Sequence, residues 1–324
     1  MRLDTALAFL RYFLPLAGTI ILASYFYADS HRNSARSRIE AAEVVNVRLG
    51  AGMLDRRLLI VIRDLHIAAA GSAVKRYVDS GSRQELSRVA EDFQGFSQAR
   101  TNYDQIRLLD LDGQEIVRVD HRDGQAQIVT SQKLQNKADR YYFQDSIKLP
   151  PGALYLSPLD LNSEQGQIET PHTPALRIAM PLADSQGNKR ALLILNYRGA
   201  EMLGYVADVT EQAADHLMVV NQDGYYLLAP NHADEWGFML GKPELSLAHR
   251  FPQSWAVIRD AEDRQFSDDN GLWTVATVHP GQPQRTDRAE MPLLSGAGDQ
   301  HWKVVAHIPP AALPGLGQAF DAAA

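Results

Sequence analysis

The sequence contains no cysteine among its 324 residues. The chain therefore forms no disulfide, carries no thiolate nucleophile and holds no cysteine-ligated zinc. It also lacks a basic cluster, and its formal net charge of −7 at pH 7 argues against a nucleic-acid-binding protein. What remains is an ordinary globular composition, with enough residues for one large or two medium domains.

Catalytic and metal-binding motifs are absent as well. The ten histidines form no H-E-x-x-H pattern, and neither G-x-S-x-G nor a phosphate loop occurs. The stretch LDLDG resembles the start of a calcium loop, but Leu108 and Val119 stand where its first and last ligands would be. We therefore predict no catalytic residue, no metal and no cofactor. A hydrolase built from carboxylates that folding brings together stays open, but no pattern supports it.

The longest apolar run lies near the amino terminus, at residues 12–27. Extended back to Leu7 it reaches 21 residues, interrupted only by Arg11, which matches the roughly 30 Å hydrocarbon core of a bilayer. A cleaved signal peptide could also begin at Arg2, but no small-x-small cleavage site precedes Asp29. We predict an uncleaved transmembrane anchor. The arginines on its two sides do not decide its orientation.

The region after the apolar run predicts a long helix. From Asp29 to about Ser80 there is no proline, and apolar residues recur at spacings of three and four. Clear examples of this stripe are Leu54, Leu58, Val61 and Leu65. A second helix is predicted near 84–99, with Ser82 and Glu85 as its capping box. Such a long helix is typical of a stalk that pairs with a second copy of itself, so we predict a homodimer.

After Tyr103 the periodicity changes from helix to strand. Asp112 and Gly113 form a hairpin-turn signal between two strand patterns. Residues 106–118 align without gaps on residues 217–229, since both have Asp-Gly between two apolar strands. A repeat at this distance indicates two copies of one module. The predicted fold class is α+β: a transmembrane helix, a long stalk helix and two tandem antiparallel-sheet modules.

The most unusual stretch, at residues 138–162, places an arginine beside three aromatic residues. Arg140 offers a rigid fork of donors for a carboxylate or phosphate, and Tyr142 offers an apolar wall with a polar tip. The same residues also fit a packed core with a solvated arginine. On a regular helix, predicted here from about 132 to 149, the two side chains would diverge by about 200°. Both interpretations stay open at this point.

Two strand arginines raise the same question. Arg177 is a charge within the otherwise apolar run PALRIAMPL, and it fits either an outward-facing side chain or a functional one. Arg118 and Asp120 alternate with apolar residues and so share one strand face. Such a face is more typical of a solvated surface than of a site.

Four stretches within residues 134–197 together resemble a known family. They are LQNKADRYYF, GALYLSPLDLN, GQIETPHTPALRIAMPLAD and GNKRALLILNY. With the order of anchor, long helix and two modules, the chain resembles the double Cache sensor domains, tandem PAS-like modules, of bacterial transmembrane receptors. The resemblance is to the subgroup found ahead of histidine kinase and diguanylate cyclase output domains. Its architectural part covers about residues 30–310.

The resemblance implies an inner-membrane anchor, two periplasmic modules and a ligand pocket in the membrane-distal module. Carried over by position, the pocket lining is Arg140, Tyr142, Tyr155, Ser157, Arg177 and Asn196. The two arginines indicate a small anion such as a carboxylate. A free amino acid is not expected, since the chain departs from the amino-acid-binding motif at Gln135, Phe143, Gln144 and Ile147.

The predicted division is an anchor (1–28), a stalk with a second helix (29–100), a distal module (101–205), a proximal module (206–310) and a tail (311–324). The tail leads towards a second membrane span that the sequence does not complete, and no kinase or cyclase output domain is expected in these residues. We predict a sensor that binds a small molecule and passes the signal through the stalk without catalysis. The alternative is a periplasmic protein-interaction module with no small ligand.

Overall fold

The computed structural model of the chain describes residues 3–164, 167–280, 294–295 and 300–314. Most of the predicted tail and most of the polar segment at 281–299 lie outside the described residues. The described part contains the α-helices α1 (Leu3–Ala69), α2 (Ser72–Ser80), α3 (Arg83–Ala99), α4 (Tyr141–Ser146), α5 (Gly199–Val209), α6 (Leu247–Arg250) and α7 (Pro252–Arg259).

The strands of the described part fall into two groups along the chain. The first group is β1 (Tyr103–Leu109), β2 (Glu115–Arg122), β3 (Gln125–Ile128), β4 (Leu154–Leu156), β5 (Asp160–Leu161), β6 (Ser163–Glu164), β7 (Gln167–Ile168), β8 (Pro174–Ala183) and β9 (Lys189–Arg198). The second group is β10 (Leu217–Asn221), β11 (Tyr226–Leu228), β12 (Arg264–Asp268), β13 (Gly271–Val278), β14 (Leu294–Ser295) and β15 (Trp302–Ile308).

These strands form two main sheets. The first has the order β14-β4-β8-β9-β1-β2-β3, with β5 also paired to β8, and the second has the order β11-β10-β15-β13-β12. Their neighbours are antiparallel, except that β14 runs parallel to β4. The strands β6 and β7 form a small separate hairpin. The α+β class with antiparallel sheets and a long amino-terminal helix is thus confirmed.

Helix α1 has 67 residues and is about 100 Å long at 1.5 Å per residue. The predicted apolar stripe at positions 54, 58, 61 and 65 is fully buried, as expected from its spacing. It forms one hydrophobic cluster with residues of both sheets, among them Leu193 and Val304. At Gly50 the helix approaches the second sheet so closely that a Cβ atom would lie 3.1 Å from Val304 and 3.3 Å from Val206. One helix therefore contributes to both cores.

The helix ends differ in part from the sequence prediction. Helix α1 ends at Ala69, earlier than predicted, because Gly71 takes an extended conformation as the N-cap of α2. Ser82 is the N-cap of α3, but its side chain makes no capping hydrogen bond. The Glu85 carboxylate is held by Arg76 at 2.8 Å and by Arg88 at 2.6 Å. The predicted capping box is therefore wrong, since two arginines compete successfully for its glutamate.

The predicted transmembrane anchor at residues 12–27 is not confirmed. In the part of the chain that the structure describes, no helix combines the length and the apolar character needed to cross a membrane.

The two aligned sequence segments form the same turn. In the first, the Asp110 carboxylate accepts hydrogen bonds from the backbone N–H groups of Asp112 (3.0 Å) and Gln114 (2.8 Å). In the second, the Asn221 side chain accepts from Asp223 (3.1 Å) and Tyr225 (2.9 Å). The glycine of each turn has φ of +82°. The alignment read from the sequence therefore corresponds to a common local structure.

Each turn is also joined to a later segment in the same way. The carbonyl of Gly113 accepts from Lys137 N at 2.7 Å, and that of Gly224 accepts from Leu247 N at 2.8 Å. A Cβ atom on Gly113 would lie 2.7 Å from the backbone of Ala138. Each hairpin tip is thus fixed to the segment that leads into the helix covering its own sheet.

We expect Gly113→Ala to destabilise the chain much more than Gly124→Ala. Both glycines have positive φ, which costs an alanine about 1–2 kcal/mol. Only at position 113 does the added methyl group overlap a neighbour, at a further cost of about 1–3 kcal/mol, since a Cβ on Gly124 meets nothing within 4 Å. Urea denaturation of both variants measures the difference. Equal losses would contradict the close contact with Ala138.

A histidine joins α1 to the second sheet. The Nε2 atom of His216 lies 3.0 Å from the buried carboxylate of Glu43 on α1, and its Nδ1 atom lies 2.6 Å from Asp215. The hydrogen bond to Glu43 is the main reason why the pKa of His216 is raised above 6.5, followed by burial, which opposes the rise. This histidine therefore holds its proton more tightly in the folded chain than in the unfolded one.

The pKa direction predicts how stability depends on pH. A raised pKa adds stability that is fully present below the unfolded value and is lost as the pH rises through the folded value. We expect the stability difference between the native chain and His216→Gln to be largest near about pH 6 and to shrink towards about pH 9. Urea denaturation at both pH values tests this. A difference that grows with pH would mean that the Glu43–His216 contact does not carry the effect.

Candidate functional site

Four polar residues stand side by side across the first sheet. Asp120 of β2 is the Cα partner of Gln105 in β1, Gln105 is the partner of Asn196 in β9, and Asn196 is the partner of Arg177 in β8. Residues directly opposite one another in neighbouring strands project from the same face of a sheet. We call these four residues the polar row. The opposite face of the sheet packs against α1.

The next row of cross-strand partners on the same face is charged at one end and apolar at the other. Arg118 and Arg107 are partners in β2 and β1, and Arg107 is in turn the partner of Ile194. The row continues through Ala179 to Tyr155. Its apolar part is covered by Tyr142 and Phe143 of α4. The site thus has charged residues on one side and an aromatic cover on the other.

Arg177 lies at the centre of this face and is only 2% exposed. Its Nη1 atom donates to Asp160 at 2.6 Å, and its Nη2 atom donates to Asn162 at 2.9 Å. Its backbone exchanges hydrogen bonds with Ser157, whose hydroxyl accepts from Arg177 N at 2.9 Å. The sequence left open whether this arginine faces outward, and the structure places it inside.

Three guanidinium groups surround the ring of Tyr142. Their central carbons lie 5.2 Å (Arg177), 5.8 Å (Arg107) and 5.8 Å (Arg140) from the ring centre, and Arg107 donates to the Tyr142 hydroxyl at 3.0 Å. Burial raises the pKa of this tyrosine, but the nearby cations, Arg107 foremost, bring it below its usual value. At Tyr155, by contrast, the pKa is raised: burial is the main cause, and the nearby Arg177 does not outweigh it. The region around Tyr142 is therefore strongly positive.

Arg140 reaches this site because it precedes the helix. It has extended backbone angles (φ −83°, ψ 132°) as the N-cap of α4, so it does not diverge from Tyr142 as it would on a regular helix. Its Nη2 atom donates to the carbonyl and the hydroxyl of Ser163, both at 3.2 Å. The helix predicted over about 132–149 is wrong. Residues 136–138 instead bond to the β1–β2 hairpin tip, and α4 has only six residues.

The other predicted site residues have different surroundings. Tyr155 is buried in the apolar part of the face. The Ser157 hydroxyl donates to Pro158 O at 2.7 Å and accepts from the backbone of Arg177, so its Oγ atom already has partners. The side chain of Asn196 donates to Gln105 at 3.3 Å. Of the predicted residues, Arg140, Tyr142, Arg177 and Asn196 bring polar groups to the site.

Further charged residues were not predicted. Arg107 and Glu115 are 3% and 1% exposed, with their Nε and Oε1 atoms 3.8 Å apart. Arg118, expected on a solvated face, is buried and binds Asp120 through two hydrogen bonds of 2.6 and 3.0 Å, which overturns that expectation. Strand alternation does place Arg107 and Arg118 on the face of the polar row. No sequence signal showed that this face is covered.

The site brings together charged groups of both signs. Among the described residues, five buried or half-buried cations and three carboxylates lie here. The cations are Arg107, Arg118, Lys137, Arg140 and Arg177, and the carboxylates are Glu115, Asp120 and Asp160. In addition, four of its buried polar atoms have no hydrogen-bond partner among the described residues: Arg107 Nε, Glu115 Oε1, Arg177 Nε and Asn196 Oδ1. Unpaired buried atoms of this kind are rare and call for an explanation.

In the second sheet, the positions that correspond to Asn196 and Arg177 carry ring side chains. The repeat and the strand registers put His307 in the position of Asn196 and Trp273 in that of Arg177. These two rings are stacked with centres 3.8 Å apart, and Phe251 lies 5.2 Å from each. His307 donates to the carbonyl of Asn270 at 2.8 Å. The two sheets therefore share a framework but differ in the chemistry of this face.

The comparisons with known proteins agree with this architecture. Residues 58–285, more than two thirds of the chain, match the model of the bacterial histidine kinase sensor domain, and the chain belongs to that family. This is a family of sensor domains, in agreement with the prediction that the chain is not an enzyme. None of the curated proteins matches it.

Solved structures of sensory domains share the fold at low sequence identity. A domain of a sensory box/GGDEF family protein from Vibrio parahaemolyticus has a TM-score of 0.64 and 17% identity, covering 89% of this chain and 99% of its own. The periplasmic sensory domain of the Campylobacter jejuni chemoreceptor Tlp1 has 0.60 and 11%, covering 84% and 95%. The ligand-binding domain of the C. jejuni chemoreceptor Tlp3 in complex with L-valine has 0.58 and 9%, covering 88% and 98%.

We expect Tyr142 to ionise below the ordinary tyrosine pKa of 10.0, because Arg107, Arg177 and Lys137 stabilise its phenolate. Alkaline titration followed by phenolate absorbance, taken as the native chain minus Tyr142→Phe, isolates this residue. The matched difference for Tyr155→Phe should show a midpoint above 10.0, because burial raises that pKa. If Tyr142 ionises later than Tyr155, the positive potential at the site is not as described.

Proposed function

We propose that this chain is the ligand-sensing region of a membrane-anchored receptor and that it binds a small anion, a carboxylate, at the polar row of its membrane-distal module. The observation that carries the proposal is the group of three guanidinium groups, from Arg107, Arg140 and Arg177, around the ring of Tyr142. Burying charge is costly unless the charge is paired, and a bound anion would pair it. The lowered pKa of Tyr142 is a second sign of the same positive potential.

The guanidinium groups suit a carboxylate. Arginine presents a planar fork of donors that matches the two oxygens of a carboxylate, and such charge-assisted hydrogen bonds are the strong ones. Arg177 and Arg107 each have a buried Nε–H without a hydrogen-bond partner among the described residues, and that of Arg107 lies 3.8 Å from Glu115 Oε1. An anion that reaches Arg177 also competes with Asp160 for the same guanidinium. Ligand binding therefore loosens Asp160 and the segment up to Ser163, which Arg140 holds against the site.

The strands that carry the site also pack against α1. Arg177 and Asn196 alternate along their strands with Ile178 and Leu195, which belong to the hydrophobic cluster that contains Leu58 of α1. A shift of β8 and β9 on ligand binding therefore reaches the helix through direct packing. The ligand can move the helix only by as much as it binds the two arrangements differently.

The cellular setting is part of the proposal. The large apolar side chains at Phe9 and from Tyr12 to Tyr27 are exposed, which suits burial of this segment in the inner membrane, with the two modules in the periplasm. Val45 and Leu49 are exposed at a spacing of four on α1, as expected of a helix that pairs with a second copy to form a homodimer. The Tlp1 relative is described as a periplasmic sensory domain, and the Tlp3 relative binds L-valine. Both descriptions support a periplasmic, ligand-sensing role.

The proposal predicts that small carboxylates raise the melting temperature of the purified chain. A ligand at about 100 times its Kd adds roughly 2.7 kcal/mol of stability. We expect this shift to be lost in Arg177→Met and reduced in Arg140→Met. It should be retained in Arg190→Met, which removes a half-exposed arginine of β9 paired with Asp184. Differential scanning fluorimetry against carboxylates, amines, sugars and nucleosides measures all four proteins.

The outcomes separate the alternatives. A shift that survives in both Arg177→Met and Arg140→Met would place the binding site elsewhere. No shift with any compound, in a protein that melts cooperatively, would favour the protein-interaction module instead. If Arg177→Met does not fold, Arg140→Met still tests the proposal, because Arg140 is half-buried and its side-chain hydrogen bonds, among the described residues, are to Ser163.

A further inference from the structure

The site offers acceptors to a ligand as well as donors. Two of the four unpaired atoms, Glu115 Oε1 and Asn196 Oδ1, are oxygens that can only accept hydrogen bonds, and both residues are almost fully buried. A plain carboxylate is itself only an acceptor and leaves them unpaired. The ligand that completes this site therefore has a hydrogen-bond donor in addition to its anionic oxygens.

We infer that the ligand is a hydroxy-carboxylate, with its carboxylate on Arg177 and its hydroxyl donating to Asn196 Oδ1. The inference rests on the proposed function and names the ligand class of the same site. Arg177 and Asn196 are direct partners across β8 and β9, so their side chains start only about 5 Å apart. A hydroxyl on the carbon next to a carboxylate has the short separation that this pair requires.

The donor is a hydroxyl because the surroundings disfavour an ammonium group. A further positive charge beside Asn196 lies close to the guanidinium groups of Arg107 and Arg177, which repel it. Asn196 is neutral, and Glu115 lies 3.8 and 3.7 Å from two arginines, Arg107 and Arg118, that hold its charge. A neutral donor satisfies Asn196 without this repulsion.

Three dicarboxylates that differ at one group test the inference by isothermal titration of the full chain. Malate has the hydroxyl, succinate lacks it, and aspartate has an ammonium group in its place. We expect malate to bind about tenfold or more tightly than succinate, since an unmade hydrogen bond to a buried acceptor costs affinity of that order. Aspartate should bind more weakly than malate. Lactate and propionate repeat the hydroxyl comparison for a single carboxylate.

Two variants assign the preference to Asn196. Asn196→Leu removes the acceptor, so malate and succinate should then bind equally. Asn196→Asp keeps an acceptor of the same shape and should keep the preference for malate, with both ligands weakened by the added negative charge. If the leucine variant does not fold, loss of the malate preference in this second variant would still overturn the assignment to Asn196.

The results distinguish the two proposals. Equal binding of the hydroxylated and plain acids, abolished by Arg177→Met, overturns the hydroxyl inference and keeps the anion site. Tighter binding of aspartate than of malate overturns it in favour of an amino acid. If none of these carboxylates binds, the proposed anion site fails together with the inference.

Discussion

The arrangement of the first sheet depends on one buried charge. A guanidinium removed from water costs several kcal/mol unless its surroundings replace the lost hydration. Arg177 therefore needs partners, and it has them in Asp160 and Asn162, which the chain returns to the sheet immediately after β4. Tyr141 adds a hydrogen bond to Asp160 at 2.7 Å, which links α4 to the same centre. The segment over the site and the helix beside it are thus positioned by the needs of one side chain.

The second sheet shows what the same framework becomes without that charge. Trp273 in the equivalent position needs no counter-ion, and it is satisfied by stacking on His307 and by one hydrogen bond from its indole N–H to Asp268 at 3.0 Å. This face of the second sheet is therefore filled by the packed rings of Trp273, His307 and Phe251. Two copies of one turn and one strand order therefore support a charged face in the first sheet and a packed one in the second, and only the first has a reason to bind an anion.

Local signals in the sequence predicted much of the fold. The stripe that includes Leu58 follows directly from helical spacing, and the Asp-Gly turns follow from the backbone freedom of glycine. The predicted helix around Tyr142 failed because a tertiary hydrogen bond, from Lys137 to the hairpin tip, holds the preceding residues extended. Helix propensity describes a segment in isolation, but the hydrogen-bond partner of Lys137 is Gly113, which is more than twenty residues away in the sequence.

The candidate site was predictable only in part, for a similar reason. Arg177 stood out as a charge within an apolar run and Arg140 stood out beside its aromatic neighbours, and the family resemblance added Asn196. Arg107 and Glu115 remained unnoticed because strand alternation says which side chains share a face, but not whether that face is covered. Covering depends on α4 and the segment after β4, whose positions are set by long-range contacts.

The close approach at Gly50 limits how α1 can move. Sliding along its own axis would bring a Cβ atom to this place, 3.1 Å from Val304 and 3.3 Å from Val206, which is tighter than an ordinary contact, so the close packing favours the present register. Glu43, seven residues earlier on α1, also contacts the second module through His216. The two contact points are about 10 Å apart along the helix axis, at 1.5 Å per residue. A helix held at two separate points does not pivot freely about either one, so a displacement of α1 beside the first sheet carries the second sheet with it.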